Sequence, residues 1–357
     1  MKRAPDTIVA GGGIVGLCVA LAAARRGKTV TIVSESRPGE ASPAAAGMLA
    51  PAVERSVGAA HDFAVAARAF YPEFLDLIAE AGGTRVPINR LGVLQLALTD
   101  RGVRGLRKDP PPGSSWLSRD ELVSLEPALG HGLGAVFNPD DGAVDNVVLM
   151  SALETLIESD PRIARTAGVV VKVGGKGGDA VVGLSTGDTI SGGDVVLAPG
   201  AWAASIEGAP ALKAVTPCKG QLVAFQSIGL RHVVYGPRGY LVPRINGITI
   251  AGSTMEYTGF DASTTPEGLA RVHSAAREIA PGLSVSPVTA EWAGLRPVTP
   301  DMLPLIGRDT ENPSIVYACG HSRNGILLAP LTAEAVAGIL AGDSPKHDLS
   351  QFRPGRF

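Results

Sequence analysis

The feature that most narrows what this chain can fold into is Gly11-x-Gly13-x-x-Gly16. It follows an apolar strand predicted over Thr7 to Ala10 and opens an alanine-rich helix predicted over Ile14 to Arg26, ended by Gly27. A second apolar strand, Val30 to Val33, closes a βαβ unit, and Glu35 stands at its end, about 20 residues beyond the glycines. That order is the context a dinucleotide-binding loop requires. The first glycine permits a tight turn, the second lets backbone approach a pyrophosphate, and the third lets helix and strand pack closely. The helix N-terminus then faces negative charge, and a carboxylate at position 35 can accept hydrogen bonds from a ribose. For the loop taken alone, a glycine-rich βα turn without a ligand is the alternative.

Composition fits a small-molecule partner. At 357 residues two domains are expected, and 45 % hydrophobic with 18 % charged residues argues against disorder or a coiled coil. A net charge of -2 with no long run of like charge leaves no electrostatic footprint for nucleic acid. Cys18, Cys218 and Cys319 are few, odd in number and widely spaced, which suits a reducing compartment better than a disulfide framework. No CxxC occurs and the histidines do not cluster, so no metal is expected. Lys2 and Arg3 precede an apolar run from Ile8 to Ala24 that has the outline of a signal peptide. The triple glycine inside the run and the strand directly after it assign the run to the domain instead, and no stretch is long and apolar enough to span a bilayer.

Further along, apolar positions three and four apart predict helices over Asp62 to Ala81, Leu149 to Glu158, Pro266 to Ile279 and Ala329 to Leu340. Strands are predicted over Leu91 to Leu98, Val195 to Ala198, Gln221 to Phe225, Gly239 to Pro243, Ile248 to Ala251 and Ile315 to Ala318. Val169 to Val173 and Val181 to Leu184 flank a Gly174 to Gly178 turn region as a hairpin, and Asp109 to Ser115 reads as a surface loop.

The glycine loop does not separate NAD from FAD. Two other segments do. Ala44-Ala-Ala-Gly-Met-Leu-Ala-Pro51 puts small residues where backbone can approach a flat ring, which a nicotinamide enzyme does not need. His321-Ser-Arg-Asn-Gly-Ile-Leu327 precedes a helix and offers glycine flexibility with backbone donors. Together with Trp292-Ala-Gly-Leu-Arg-Pro297 and Val195-Val-Leu-Ala-Pro-Gly-Ala-Trp202, these segments resemble the D-amino-acid oxidase superfamily and, within it, glycine oxidase of the thiamine pathway. The similarity runs in order through nearly the whole chain. It implies noncovalent FAD at Gly11, Gly13, Ile14, Val15 and Gly16, with Glu35 on the ribose, then along Ala41, Ser42, Ala46, Gly47 and Met48. Val170 would lie near the adenine, and His321, Ser322, Arg323, Asn324, Gly325, Ile326 and Leu327 around the flavin ring. Pro199 departs from the small residue usual at that turn. Covalent relatives carry a flavin-linking cysteine near the stretch that is Leu295 to Thr299 here, and no cysteine is present in it.

Oxidation of an amino acid at Cα requires the carboxylate to be held, and a bidentate guanidinium is the natural clamp. Arg296 and Arg323 are the candidates, each with the alternative of a structural pairing to an acid such as Asp301 or Glu291. Tyr240 either points its hydroxyl toward that clamp or packs on a sheet. By resemblance Arg296 binds the carboxylate, Arg323 lines the same pocket, and Met255 and Met48 line it too, although methionine also serves as core filler. No acid or base is needed: the resemblance implies hydride transfer from the neutral amine to flavin N5, with oxygen as final acceptor. The products would be glyoxylate, ammonia and hydrogen peroxide. His321 is read as a cofactor-side hydrogen-bonding residue.

The expected fold is α/β, a Rossmann-like FAD-binding domain from 1–85, 140–215 and 290–357, with a second, mainly antiparallel-sheet substrate domain from 86–139 and 216–289. The resemblance implies a cytoplasmic homo-oligomer, a tetramer. Competing readings are a D-amino-acid dehydrogenase passing electrons to a quinone, a sarcosine- or D-proline-type oxidase, and a binding module without turnover.

Overall fold

The computed structural model describes residues 4–54, 56–176 and 178–357. Lys2 and Arg3 of the signal-peptide reading, and Gly177 of the predicted turn, lie outside the described residues. The expected βαβ unit is present: Thr7–Ala10 pairs in parallel with Val30–Ser34, and helix Ile14–Arg25 connects them. These strands sit in a six-stranded sheet whose order is Leu305–Arg308, Ile315–Cys319, Asp194–Leu197, Thr7–Ala10, Val30–Ser34 and Ile163–Ala167. Only Leu305–Arg308 runs antiparallel to its neighbour. Ile8 and Ala10 pack with Leu197 and Tyr317 on one face, while Val9 packs with Leu17 and Ala337 on the other. Burial on both faces is why the first strand reads as an unbroken apolar run rather than an alternation.

The second large sheet has eight strands, in the order Val288–Val298, Thr216–Gln226, Ile248–Gly252, Tyr240–Pro243, Val233–Tyr235, Val93–Ala97, Gly134–Asn138 and Ser115–Ser118. All neighbours are antiparallel except Val233–Tyr235 against Val93–Ala97. Helix Pro266–Ile279 covers one face, packing Val272, Ala276 and Ile279 on Val223 and Phe225. The opposite face puts Leu222, Val242 and Ile250 against Ala46 and Ala50, so this sheet forms a wall facing the cofactor segment. The expected division at 290 falls inside the Val288–Val298 strand, which belongs to the large sheet.

Helix ends differ from expectation where remote residues set them. The helix predicted from Asp62 begins at Ala59, because Gln351 Oε1 accepts the Ala60 N–H at 2.7 Å and satisfies an amide of the first turn. The last helix runs Gly325–Ala341 rather than from Ala329. Pro330 supplies no N–H to the Ile326 carbonyl one turn earlier, and the buried Tyr71 hydroxyl donates to that carbonyl instead at 2.5 Å. Gly325, Ile326 and Leu327 are therefore helical, not part of a preceding loop. Among the described residues no helix is long and apolar enough to cross a membrane.

Candidate functional site

One cavity of about 440 Å³ runs from the glycine loop to the wall of the eight-stranded sheet. That volume lies within the roughly 300–1,000 Å³ common for small-molecule sites. Gly11 has φ +122°, and a Cβ there would stand 2.1 Å from the Ala198 carbonyl oxygen; a Cβ on Gly16 would stand 2.0 Å from the Gly11 oxygen. The glycines thus let the loop, the neighbouring strand and the helix approach to backbone distance. Helix Ile14–Arg25 starts with no side-chain cap from Gly13 and no acid in its first turn. Ser42 Oγ accepts the Ile14 N–H at 3.0 Å, and Gly13, Ile14 and Val15 line the cavity's end. A helix N-terminus with no acid in its first turn, beside closely packed backbone and with Glu35 just past Val30–Ser34, fits the pyrophosphate and ribose of a dinucleotide.

The middle of the cavity is built by the segment from Ala41 to Met48. Gly47 has φ +75°, and a Cβ there would lie 2.1 Å from the Val144 oxygen. Three side chains from elsewhere hold the segment's carbonyls. Arg244 donates to the oxygens of Val144, Ala46 (2.9 Å) and Asn146 (Oδ1, 2.6 Å). Asn146 donates in turn to the Ser42 oxygen at 2.8 Å, and Trp292 Nε1 donates to the Ala44 oxygen at 2.9 Å. Burial pulls the Arg244 pKa below the usual arginine range, so its three acceptors carry the cost of keeping it charged. Sequence periodicity gives no sign of this bracing, because the partners lie 98 to 248 positions apart.

At the far end, Gly320 to Asn324 turns between strand Ile315–Cys319 and the last helix. Ser322 holds φ +51°, a left-handed conformation uncommon without glycine, and its N–H donates to the Pro297 oxygen at 2.9 Å. His321 is buried, with Nε2 3.1 Å from Thr332 Oγ1, and burial lowers its pKa from 6.5 to about 3. The imidazole is neutral, which removes it as a cationic acid. An unfolded imidazole takes up a proton near pH 6.5 while the folded one does not, so stability is complete above pH 6.5 and is lost as pH falls toward 3. Thermal unfolding should show about 2 kcal/mol less stability at pH 5 than at pH 7 from this group, and His321→Gln should flatten that slope.

On the sheet wall, Arg296 donates from Nη1 to the Thr254 oxygen at 3.2 Å and from Nη2 to Ser253 Oγ at 2.5 Å. Among the described residues no carboxylate lies within ion-pair distance of it. Asp301 pairs with Arg356, and Glu291 lies 3.3 Å from His273. The guanidinium spreads over Gly220, where a Cβ would be 2.2 Å from Nη1. Tyr240 lies across Gly252 in the same way, its hydroxyl 2.5 Å from where a Cβ would be. Arg323, by contrast, pairs with Glu54, an acid that the sequence does not connect to it.

The cavity gathers Gly11, Gly13, Ile14, Val15, Glu35, Ala41, Ser42, Ala46, Gly47, Met48, Val170, His321 to Ile326, Tyr240, Met255 and Arg296 on its lining. Gly16 and Leu327 are not on it: Gly16 packs the helix against the loop, and Leu327 is 1 % exposed in the apolar core. Glu54 and Tyr235 line it without having been read from the sequence. Among the described residues no group of three or more His, Cys, Asp or Glu is placed to hold a metal.

Residues 6–339 match the family described as FAD dependent oxidoreductase (DAO). The chain is 32 % identical to the glycine oxidase of Bacillus licheniformis, over 100 % of this chain and 98 % of that one. It is also 32 % identical to the bifunctional protein ThiO/ThiG of Synechocystis sp., over 100 % of this chain but only 55 % of that one, so it spans about half the length of such relatives. Among solved structures, the glycine oxidase of Geobacillus kaustophilus superposes with a TM-score of 0.91 at 28 % identity, covering 100 % of both chains.

Proposed function

Because the chain belongs to the family of FAD-dependent oxidoreductases, we propose that it oxidises a small amino acid bearing a free carboxylate, glycine first, to the oxo acid with release of ammonia and hydrogen peroxide. The carrying observation is Arg296: a guanidinium held by two neutral oxygens and no acid, on the lining of the cavity that also holds the glycine loop. A substrate carboxylate would complete its charge, with the Tyr240 hydroxyl alongside. FAD, when bound, supplies the two-electron acceptor. The residues of the chain orient the amine and exclude water, and none takes a proton, since His321 is neutral and bonded to Thr332 while Glu54 is engaged by Arg323. Cys319 lines the cavity, but burial pushes its thiol up to about 12, which keeps it protonated and suits noncovalent FAD.

The reading extends to a cytoplasmic homo-oligomer, a tetramer, and to a place in thiamine thiazole synthesis, supported by the likeness to the Synechocystis protein. The test is a panel of glycine, sarcosine, D-alanine and D-proline on the purified yellow protein, read as peroxide under air and as dye reduction under nitrogen. Peroxide is expected with glycine. Dye reduction without peroxide would indicate a dehydrogenase, and a flavin that no amine bleaches would indicate a binding module. Gly220→Ala offers a finer check. Its methyl group would enter the space of the guanidinium, and the KM for glycine should rise roughly tenfold, equivalent to about 1.4 kcal/mol of binding.

A further inference from the structure

Two of the arginines that line the cavity, Arg323 and Arg296, carry their charge differently. Arg323 donates through Nη2 to Glu54 Oε2 at 2.5 Å, and Tyr235 stands near it on the same lining. Arg296 meets only neutral oxygens. A continuous wall joins them: Arg296 to Ser253, Gly252 beneath Tyr240, Tyr240 stacked on Tyr235 with centroids 6.4 Å apart, and Tyr235 to Arg323. The Glu54 side chain is 13 % exposed, so solvent screens its charge weakly. A small amine that binds Arg296 through its only carboxylate would meet a neutralised pair farther along this wall. An amine with a second carboxylate would meet an acid there, and a guanidinium already in use.

We propose that Glu54 is a specificity-determining residue that restricts the site to monocarboxylate amines, by engaging Arg323 and by presenting its own charge to any second carboxylate. The inference rests on the amine-oxidation reading and narrows its substrate class. Negative selection of this kind works by making the wrong ligand costly rather than the right one better.

Sarcosine and iminodiacetate differ by one carboxylate on the N-substituent, and both are to be assayed with the holoenzyme. The native protein is expected to favour sarcosine in kcat/KM. Glu54→Gln should narrow that preference by about tenfold or more, mainly through a lower KM for iminodiacetate, as expected when one like charge is removed at short range and Arg323 is freed. Adding Arg323→Gln to that variant should abolish the gain. An unchanged preference in Glu54→Gln overturns the proposal. A second measurement needs neither variant nor turnover: titrating the flavin absorbance of the native protein with propionate and with succinate. Propionate should bind about tenfold tighter, and equal affinities overturn the proposal. Failure of glycine, sarcosine and iminodiacetate alike to be oxidised counts against the oxidase reading alone.

Discussion

Arg296→Ala is expected to leave a yellow protein that has nearly lost its grip on substrate, with kcat/KM for glycine lower by about two to four orders of magnitude. The reasoning is local. Two charge-assisted hydrogen bonds to a carboxylate, each worth about 1.5–3 kcal/mol when partly shielded from water, vanish with the guanidinium. Ser253 Oγ and the Thr254 carbonyl, which now accept from Arg296, lose their partner but can recruit water at this half-open wall. Flavin content and Tm should change little, because Arg296 stands on the sheet wall away from the glycine loop. Steady-state kinetics per bound flavin checks this: turnover equal to that of the native protein would remove Arg296 from the carboxylate role. Arg296→Lys should recover part of the loss, since a point charge remains but the planar fork does not.

Gly11→Ala is expected to give colourless, poorly soluble protein. The added methyl carbon would stand 2.1 Å from the Ala198 oxygen, and the residue would be held at φ +122°, a region that side-chain-bearing residues rarely adopt. Both faults concern backbone, so no rotamer change relieves them. Moving the loop off Ala198 would also disturb the start of helix Ile14–Arg25, whose first residues line the cavity. A destabilisation of more than about 4 kcal/mol is the expected scale, the range of diagnostic single substitutions. Recovery of a yellow protein with native Tm would show that the turn is less constrained than its geometry requires. Gly27→Ala is the matched control: its φ is +83°, but a Cβ there meets nothing within 4 Å, so a smaller loss is expected.

The parts of this molecule that could be read from sequence are those whose cause lies nearby in the chain. The glycine loop, its flanking strands and Glu35 fall within one βαβ unit, and Arg296 sits in a short motif. Helix Pro266–Ile279 begins at a proline behind a Thr265 cap and shows its apolar positions at helical spacing. Helix Asp100–Lys108 also has a capping threonine, Thr99, but it buries no residue and is interrupted by Gly102 and Gly105, so its apolar spacing is too short to stand out. The start of the last helix was hidden for another reason. Pro330 looks like a first-turn residue, and only the Tyr71 hydroxyl, far away in sequence, shows that the helix runs through it. Arg244, Asn146 and Glu54 were illegible for the same cause: a brace or an ion pair is defined by two positions, and their partners are set by tertiary packing. Arg323 illustrates the limit, since the acid that pairs with it is Glu54, not the Asp301 or Glu291 that the sequence suggests.

The Val288–Val298 strand carries more than its place at the edge of the large sheet suggests. Its Leu295 N–H donates to the Gly39 oxygen at 2.8 Å, and Trp292, Gly294 and Arg296 alternate onto the face that meets Ala44 and the cavity. Side chains on a strand change face at every step. Inserting or deleting one residue between Trp292 and Arg296 would put these two on opposite faces and break either the hold on Ala44 or the approach to the substrate. Descendants of this sequence can therefore reshape the wall by exchanging side chains, but not by changing its length, and variation in loop size should collect elsewhere, as at the exposed Asp109 to Ser114 connection.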